Sequence, residues 1–212
     1  MESEAASSMG QILNRLLIGA ELAPLDAELT SRFEAYLSLF VRWNSRMNLS
    51  AVREPEAILS RHFVESIACG RALPEGIATL LDFGSGGGLP GIPIALCRPE
   101  ISLTLAESQG KKAAFLQEAV RTLEITSRVF AGRAETLAEK FDCVTLRAVD
   151  KMESAARSGA ELVSAGGWLA LMTTHADAPS LRTTAGEAYE WLEARQLPGS
   201  DDRILLLGRR AR

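Results

Sequence analysis

The sequence is poor in the residues that build metal and redox sites. It contains two histidines, His62 and His175, and three cysteines, with neither an HExxH motif nor a CxxC pair. A dedicated zinc site is therefore not expected, and metal-dependent group transfer drops out of consideration. The odd number of cysteines, each among apolar neighbours, indicates reduced thiols in the core.

Long apolar runs are also missing. The longest stretches without a charged residue, 83–97 and 162–176, hold 15 residues each and are broken by glycines. Both are too short to cross a bilayer. The N-terminus, MESEAASSMG, is acidic where a signal peptide would be basic. We therefore expect no membrane helix and a cytoplasmic protein.

Composition and charge are those of an ordinary globular protein. Apolar residues make up 47% of the chain and charged residues 24%, so disorder is confined at most to the ends. The net charge of -4 arises entirely in residues 1–34, which hold six acids and two arginines. Residues 42–71 hold five arginines and three acids, which form either a basic face or a solvated helix surface.

The first 75 residues are predicted to be helical. Apolar residues recur at spacings of three and four over 28–46, and a second helix is expected to begin at Pro55 and end before Pro74. From Ala78 onward, short apolar runs alternate with helical segments. Strands are expected at TLLDFG, ISLTLAES, RVFAG, FDCVTLRAV and WLALM, and helices at IPIALC, KKAAFLQEAVRTL and 152–163. The last two apolar segments, YEWLEAR and RILLLGR, are expected to pair as an antiparallel hairpin at one edge of the sheet.

This alternation is typical of an α/β fold with a mostly parallel sheet. The chain is longer than the usual single domain, so an appendage is expected beside the core. We expect a helical extension over residues 1–75, packed on a core formed by residues 76–212.

The strongest motif is a glycine-rich run, DFGSGGGLPG, at the end of the first predicted strand. Ligands of open α/β sheets bind at that end of the strands. Glycines at 84, 86 and 88 leave the backbone free to contact a ligand and permit positive φ. An acid two residues before GxGxG, here Asp82, is the pattern of S-adenosylmethionine (SAM) methyltransferases. The dinucleotide fingerprint GxGxxG also matches, more weakly, because Pro90 precedes its third glycine.

Polar side chains follow the other predicted strands at the same edge. Glu107, followed by Ser108, ends the second strand, where an acid accepts hydrogen bonds from ribose hydroxyls. Ala134 and Glu135 follow the third strand, level with the expected position of an adenine amino group. Arg147 ends the fourth strand, and a cation there needs a carboxylate, a phosphate or water as its partner. We expect Arg147 at the reaction end of the site, with a structural ion pair as the alternative.

Two classes of methyl acceptor are disfavoured. The fourth strand lacks the Asn/Asp-Pro-Pro-aromatic motif of enzymes that methylate exocyclic amines, and the chain has no Pro-Cys of the kind that attacks pyrimidines. His62 lies on an apolar helix face and is interpreted first as a core histidine with a satisfied hydrogen bond. The sequence therefore offers no obvious general base or nucleophile.

Several segments together resemble the bacterial GidB family, also called RsmG. In family order they are RWNSRMNLS (42–50), RHFVESI (61–67), LLDFGSGGGLPGIPIAL (80–96), AESQGKKAAFL (106–116), GRAETL (132–137) and LRAV (146–149). The block GSGGGLPGIP is specific, because LPGIP directly after the glycines is not general to methyltransferases. The resemblance spans residues 30–175.

Members of that family are SAM-dependent guanine-N7 methyltransferases of small-subunit (16S) ribosomal RNA. The resemblance implies a class I methyltransferase fold with a seven-stranded sheet, and Arg147 as the catalytic residue. The cofactor site expected from motif and resemblance comprises Asp82, Gly84, Ser85, Gly86, Gly88, Leu89, Glu107, Ser108, Ala134, Glu135 and Arg147. The implied partner of a monomeric enzyme is 16S rRNA in the small ribosomal subunit, with candidate RNA contacts at His62, Lys111, Lys112, Arg46 and Arg61.

The chain departs from the family pattern at a few positions. Glu107 stands where the family usually has Asp, and Glu65-Ser66 where it has Asp-Ser. Met172-Thr173 replaces the usual Lys-Gly, which removes a cation near the expected RNA-docking surface. A SAM methyltransferase with another acceptor, an NAD(P)-dependent oxidoreductase and a SAM-binding module without catalysis remain alternatives.

Overall fold

The computed structural model describes residues 7–212. Glu2 and Glu4, which contribute to the acidic N-terminus, lie outside the described residues. The helices are α1 (Met9–Gly19), α2 (Ala27–Asn44), α3 (Pro55–Ile58), α4 (Glu65–Ala72), α5 (Gly91–Cys97), α6 (Gly110–Thr122), α7 (Met152–Leu162) and α8 (Ala178–Ala185). A π-helical turn, Leu59–Val64, joins α3 to α4. Within residues 7–212, no helix is both long and apolar enough to cross a membrane.

The predicted helical N-terminal region is confirmed, with one local difference. Helix α2 begins after Asp26, whose side chain accepts a hydrogen bond from the backbone N–H of Leu29 and so caps the helix. The second predicted helix does run from Pro55 to Ala72, but its middle widens into the π-helical turn. Such turns insert an extra residue and are frequent at functional sites.

The sheet has the order β3-β2-β1-β4-β5-β8-β6, and β7 also pairs with β8. Its strands are β1 (Thr79–Phe83), β2 (Ser102–Ala106), β3 (Ser127–Phe130), β4 (Phe141–Arg147), β5 (Val163–Thr174), β6 (Tyr189–Trp191), β7 (Arg195–Gln196) and β8 (Arg203–Arg210). Strands β1 to β5 are parallel, and β8 is antiparallel to its neighbours. The expected antiparallel pairing is therefore present. Its edge partner is divided into β6 and β7, which share the seventh position.

Strand β5 is longer than predicted. The Gly166-Gly167 pair, which precedes the predicted segment WLALM, lies inside the strand, next to a register shift against β4. A Cβ atom on Gly167 would lie 2.8 Å from the backbone oxygen of Asp142. The glycine is therefore needed for close approach of two strands.

Adjacent residues of a strand point to opposite faces of the sheet, so a strand of consecutive apolar residues makes both faces apolar. Helices cover both of these faces. Leu80 joins a core formed with α1, α2, α4, α5 and α6, whereas Leu81 joins a second core formed with α7 and α8. The helical N-terminal residues thus share a continuous core with one face of the sheet. This packing places the π-helical turn near the carboxyl end of β4.

A buried carboxylate connects three distant segments at that end. Glu65, at the start of α4, is completely buried, and its Oε2 accepts a hydrogen bond from Arg147 Nη2 at 3.0 Å. Its Oε1 accepts from Arg203 Nε at 2.8 Å. Glu65 therefore ties the N-terminal helices to the end of β4 and the start of β8.

Replacing Glu65 with Gln is expected to lower the free energy of unfolding by about 3 to 5 kcal/mol, because two guanidinium groups lose their buried counter-charge. The matched control is Glu139→Gln, which breaks the half-exposed Arg128–Glu139 pair and is expected to cost less than about 1 kcal/mol. Urea denaturation of both variants measures the difference. Equal, small losses would contradict this account of Glu65.

Candidate functional site

A cavity of about 460 Å³ lies at the carboxyl ends of β1, β2 and β4. Its volume is in the range of small-molecule sites. The lining residues come from five segments of the chain and are Leu49, Ser50, Ala51, His62, Gly84, Ser85, Gly86, Gly87, Leu89, Glu107, Ser108, Gln109, Lys112, Arg147, Ala148, Val149 and Asp150. The glycine loop, the β2 end and the β4 end thus meet as the sequence predicted.

The glycines of the loop have two different roles. Gly84, Gly86 and Gly88 have φ values of 72°, 54° and 81°, as expected from the motif. A Cβ on Gly86 would meet only the backbone oxygen of Gly84, at 3.9 Å, so this glycine keeps the cavity open. A Cβ on Gly88 would instead lie 2.4 Å from Ile92 Cδ1. Gly88 therefore serves packing against α5.

Gly91 packs more closely than the sequence suggested. A Cβ at this position would lie 2.8 Å from Asp82 Oδ2 and 2.8 Å from Leu105 Cδ2. Gly91, the third glycine of the dinucleotide fingerprint, therefore packs closely although Pro90 precedes it. Loop geometry alone does not separate the two cofactor classes.

The glycine loop is held in place by hydrogen bonds from helix α2 and to strand β2. Tyr36, completely buried in α2, donates its hydroxyl proton to the backbone oxygen of Gly87 at 2.5 Å. The Ser85 N–H donates to the backbone oxygen of Ala106, the last residue of β2. These hydrogen bonds fix the backbone of the cavity floor from two sides.

Asp82 is buried beneath the loop and does not line the cavity. Its Oδ1 accepts from the Thr145 hydroxyl at 2.9 Å, and its Oδ2 accepts from the Gly91 N–H at 3.3 Å. Burial raises the pKa of Asp82 to about 6, and these hydrogen bonds oppose that shift. Asp82 therefore shapes the loop from inside the fold.

Glu107 connects β2 to the loop as a buried acceptor. Its Oε2 accepts from the Gly86 N–H at 2.9 Å, and its Oε1 accepts from the Gln109 N–H at 2.7 Å. A carboxylate has about four acceptor positions, so about two remain for a ligand. These free acceptor positions fit a ribose whose two hydroxyls donate side by side, and thus fit SAM.

Arg147 lines the cavity, but its guanidinium is bound by the N-terminal segment. The two protons of Nη2 are shared among three acceptors: Glu65 Oε2, the backbone oxygen of Arg61 at 2.8 Å and His62 Nδ1 at 2.9 Å. Nη1 donates to the His62 backbone oxygen at 3.3 Å and to Ser66 Oγ at 3.2 Å. The structural ion pair that the sequence left open is therefore present, at the site expected to be catalytic.

His62 is half-buried and bonded at both ring nitrogens. Nδ1 faces Arg147, and Nε2 lies 2.7 Å from Ser50 Oγ. Burial and, next in size, the positive charge of Arg147 together lower the pKa of His62 to about 3. The ring is therefore neutral at physiological pH.

Some predicted site residues lie off the cavity wall. Gly88 and Ala134 are buried, and Glu135 is exposed and pairs with Arg133. Arg61 points to solvent from the π-helical turn, and only its backbone oxygen contacts Arg147. The positions that replace the family Lys-Gly, Met172 and Thr173, are buried in β5.

Two predicted cations share a second, neighbouring groove. Arg46 and Lys111 are exposed and line a cavity of about 320 Å³ between α2 and α6 with Trp43 and Met47. Lys112 lines the main cavity instead. Consecutive lysines thus face the two cavities.

Sequence reasoning missed the residues that support the wall. Asn44 is buried, and its amide bonds the Ser50 N–H and the Val52 backbone oxygen, both at 2.9 Å. The sequence feature that could have revealed Asn44 is a polar residue among the apolar positions of α2. No sequence feature points to Arg203, because its partner Glu65 lies 138 residues away. Within residues 7–212, no cluster of potential metal ligands is present.

The raised pKa of Asp82 predicts a pH-dependent stability difference. An unfolded Asp titrates near 3.8 and the native one near 6, so the native state holds the proton more tightly. The free energy of unfolding of the wild type, relative to Asp82→Asn, is expected to fall by about 3 kcal/mol as pH rises through this interval. Urea denaturation at pH 4 and pH 7 measures it. A difference independent of pH would contradict the assignment.

Comparison with known proteins identifies the family. The GidB family model, described as rRNA small subunit methyltransferase G, matches residues 29–197. The ribosomal RNA small subunit methyltransferase G of Xanthomonas oryzae pv. oryzae (strain MAFF 311018) is 39% identical over 200 residues, which cover 91% of this chain and 92% of that protein.

Solved structures share the fold at low identity. A predicted O-methyltransferase from Agrobacterium tumefaciens, Atu636, aligns with a TM-score of 0.60 and 18% identity over 70% of this chain and 81% of that one. The M. jannaschii TYW2 structure in complex with AdoMet aligns with a TM-score of 0.56 and 15% identity over 70% and 74%. The predicted class I methyltransferase fold is confirmed.

The comparisons distinguish between the two cofactor classes that the glycine loop allows. The dinucleotide alternative is not favoured, and the predictions of a methyltransferase and of SAM as its cofactor are confirmed. The chain belongs to the GidB family of ribosomal RNA small subunit methyltransferases.

Proposed function

We propose that this protein methylates N7 of a guanine in small-subunit (16S) ribosomal RNA. The observation that carries the proposal is that, within residues 7–212, no side chain on the cavity wall is placed to act as a general base. Glu107 already accepts two backbone N–H groups, and the acceptor nitrogen of the neutral His62 is bound by Arg147. The remaining carboxylate, Asp150, is exposed to solvent. Guanine N7 carries a lone pair and no proton, so its methylation needs no general base.

The chemistry is a single displacement. When bound, SAM would supply a sulfonium methyl group: the N7 lone pair would form the new N–C bond as the S–C bond breaks and its electron pair stays on sulfur. The protein contributes alignment, for which effective molarities of about 10⁵ M and above are available. A rigid wall, fixed by Tyr36, Asp82 and the Glu65 network, suits that role.

Cofactor contacts are assigned by their place on the wall. Gly84, Ser85, Gly86 and Leu89 face the methionine and ribose part, and Glu107 with Ser108 faces the ribose hydroxyls. Support for this comes from the two acceptor positions left free on the Glu107 carboxylate. Ala134 and Glu135 remain predictions for the adenine side.

The RNA-facing surface is assigned to the groove between α2 and α6. Arg46 and Lys111 are exposed there beside Trp43, which combines cations for phosphates with an aromatic ring. Lys112 on the wall of the main cavity connects the groove to the methyl-transfer site. We assign residues 1–75 to substrate docking and residues 76–212 to methyl transfer, in a monomer that works in the cytoplasm.

The direct test uses methyl-labelled SAM and small ribosomal subunits from cells that lack this gene. After digestion of the RNA, label is expected in 7-methylguanosine. Label in another nucleoside would contradict guanine N7 as the methyl acceptor. No label in RNA, with folded protein that binds SAM, would favour a small-molecule acceptor or a binding module without catalysis.

Glu107→Gln is expected to weaken SAM binding about 10- to 100-fold, because it removes the charge that strengthens bonds to the ribose. Glu100→Gln is the matched control: Glu100 is exposed, precedes β2 at the edge of the sheet opposite the cavity, and its loss is expected to change the Kd less than threefold. Calorimetry measures both. A loss of SAM affinity in Glu107→Gln no larger than that of the control would contradict the role assigned to Glu107.

Arg147→Ala is expected to reduce methyl transfer far more than SAM binding, because Arg147 orders the substrate side of the cavity through His62 and Glu65. Transfer rate and the SAM Kd are measured on the same preparation, with unfolding monitored by circular dichroism. Equal losses in rate and binding would assign Arg147 to the cofactor alone.

A further inference from the structure

Ser50 occupies a part of the cavity wall that sequence reasoning left without a role. It follows α2 in the segment Leu49–Ala51, and all three residues line the cavity. The backbone of this segment is held by Asn44, which bonds the Ser50 N–H and the Val52 oxygen. The position of the Ser50 hydroxyl is therefore fixed by buried contacts.

The tautomer of His62 follows from its neighbours. A guanidinium group only donates hydrogen bonds, so we assign Nδ1 of His62, 2.9 Å from Arg147 Nη2, as the acceptor nitrogen that carries no proton. The ring proton is then on Nε2. This nitrogen lies 2.7 Å from Ser50 Oγ and donates to it.

Ser50 Oγ accepts a second hydrogen bond. The Val52 N–H donates to it at 3.0 Å. A serine hydroxyl has two acceptor positions and one proton. Both acceptor positions are thus occupied, and Ser50 meets a ligand only as a donor. Across residues 7–212, no side chain or backbone oxygen accepts this proton.

We propose that the Ser50 hydroxyl donates a hydrogen bond to O6 of the target guanine and excludes adenine. The inference rests on the proposed function and deepens it. Guanine presents two acceptors, N7 and O6, on its Hoogsteen edge, whereas adenine presents an amino donor in place of O6. Because Ser50 has no acceptor position left, an adenine amino group meets a donor and loses its partner.

Arg147 was the residue that the sequence suggested for this contact. Its two terminal nitrogens already donate to Glu65, Ser66, His62 and the backbone of the π-helical turn. Arg147 acts on the base through the relay Arg147–His62–Ser50, as a positioning residue that fixes which way the serine proton points. Ser50 is then the group that touches the substrate.

The test compares Ser50→Ala with Ser50→Thr, which keeps a hydroxyl, and with Ser45→Ala. Ser45 is exposed, near in sequence, and donates to the Arg42 backbone oxygen away from the cavity. On unmethylated small subunits, Ser50→Ala is expected to lower kcat/KM about 10- to 100-fold, with the SAM Kd within threefold of wild type. Ser50→Thr is expected to recover most of the activity, and Ser45→Ala to match wild type.

A specificity readout separates a base contact from a structural role. Once wild-type labelling has located the guanine, subunits with adenine at that position compete with guanine subunits, and the ratio of their inhibition constants is measured. Ser50→Ala is expected to reduce the wild-type preference for guanine about 10-fold. An unchanged ratio with equal loss on both substrates would overturn the proposal.

Two further results have distinct meanings. Loss of SAM affinity in Ser50→Ala that equals the loss of kcat/KM would place the serine proton on the cofactor and overturn the proposal. Absence of 7-methylguanosine with the wild-type protein would defeat the proposed function itself, before any variant is compared.

Discussion

The buried Glu65 carboxylate is the constraint on which the substrate side of the cavity depends. It is completely buried and accepts hydrogen bonds from arginines at the ends of two strands. Buried ion pairs contribute little net stability compared with apolar packing, but they are costly to break and so specify one arrangement. Here the arrangement holds the N-terminal helices against the catalytic edge of the sheet.

The π-helical turn follows the same constraint. Arg147 donates to the backbone oxygens of Arg61 and His62, inside the π-helical turn. Unpaired backbone carbonyls are unfavourable in a partly buried segment, so the hydrogen bonds from Arg147 stabilise this irregular helix. The turn then presents the His62 ring to Arg147 and Ser50. The same Arg147 side chain therefore stabilises the π-helical turn and orients the His62 ring in the site.

The two sides of the cavity are built on different principles. The cofactor side relies on backbone: positive-φ glycines, close packing of α5, and a carboxylate that bonds loop N–H groups. The substrate side relies on side chains that bond one another across long sequence separations. Backbone sites are defined by local sequence, whereas side-chain relays need the chain to be folded first.

The sequence by itself determined the succession of helices and strands along the chain, the glycine loop with its positive φ, and the places of Glu107 and Arg147 at strand ends, because periodicity and glycine content act over a few residues. It also carried the motifs of the family. It did not reveal the burial of Asp82 under the loop, or Ala134 and Glu135 lying off the wall. Only the tertiary structure decided the partners of Arg147 and of Glu65, since these depend on contacts between residues that local patterns do not relate.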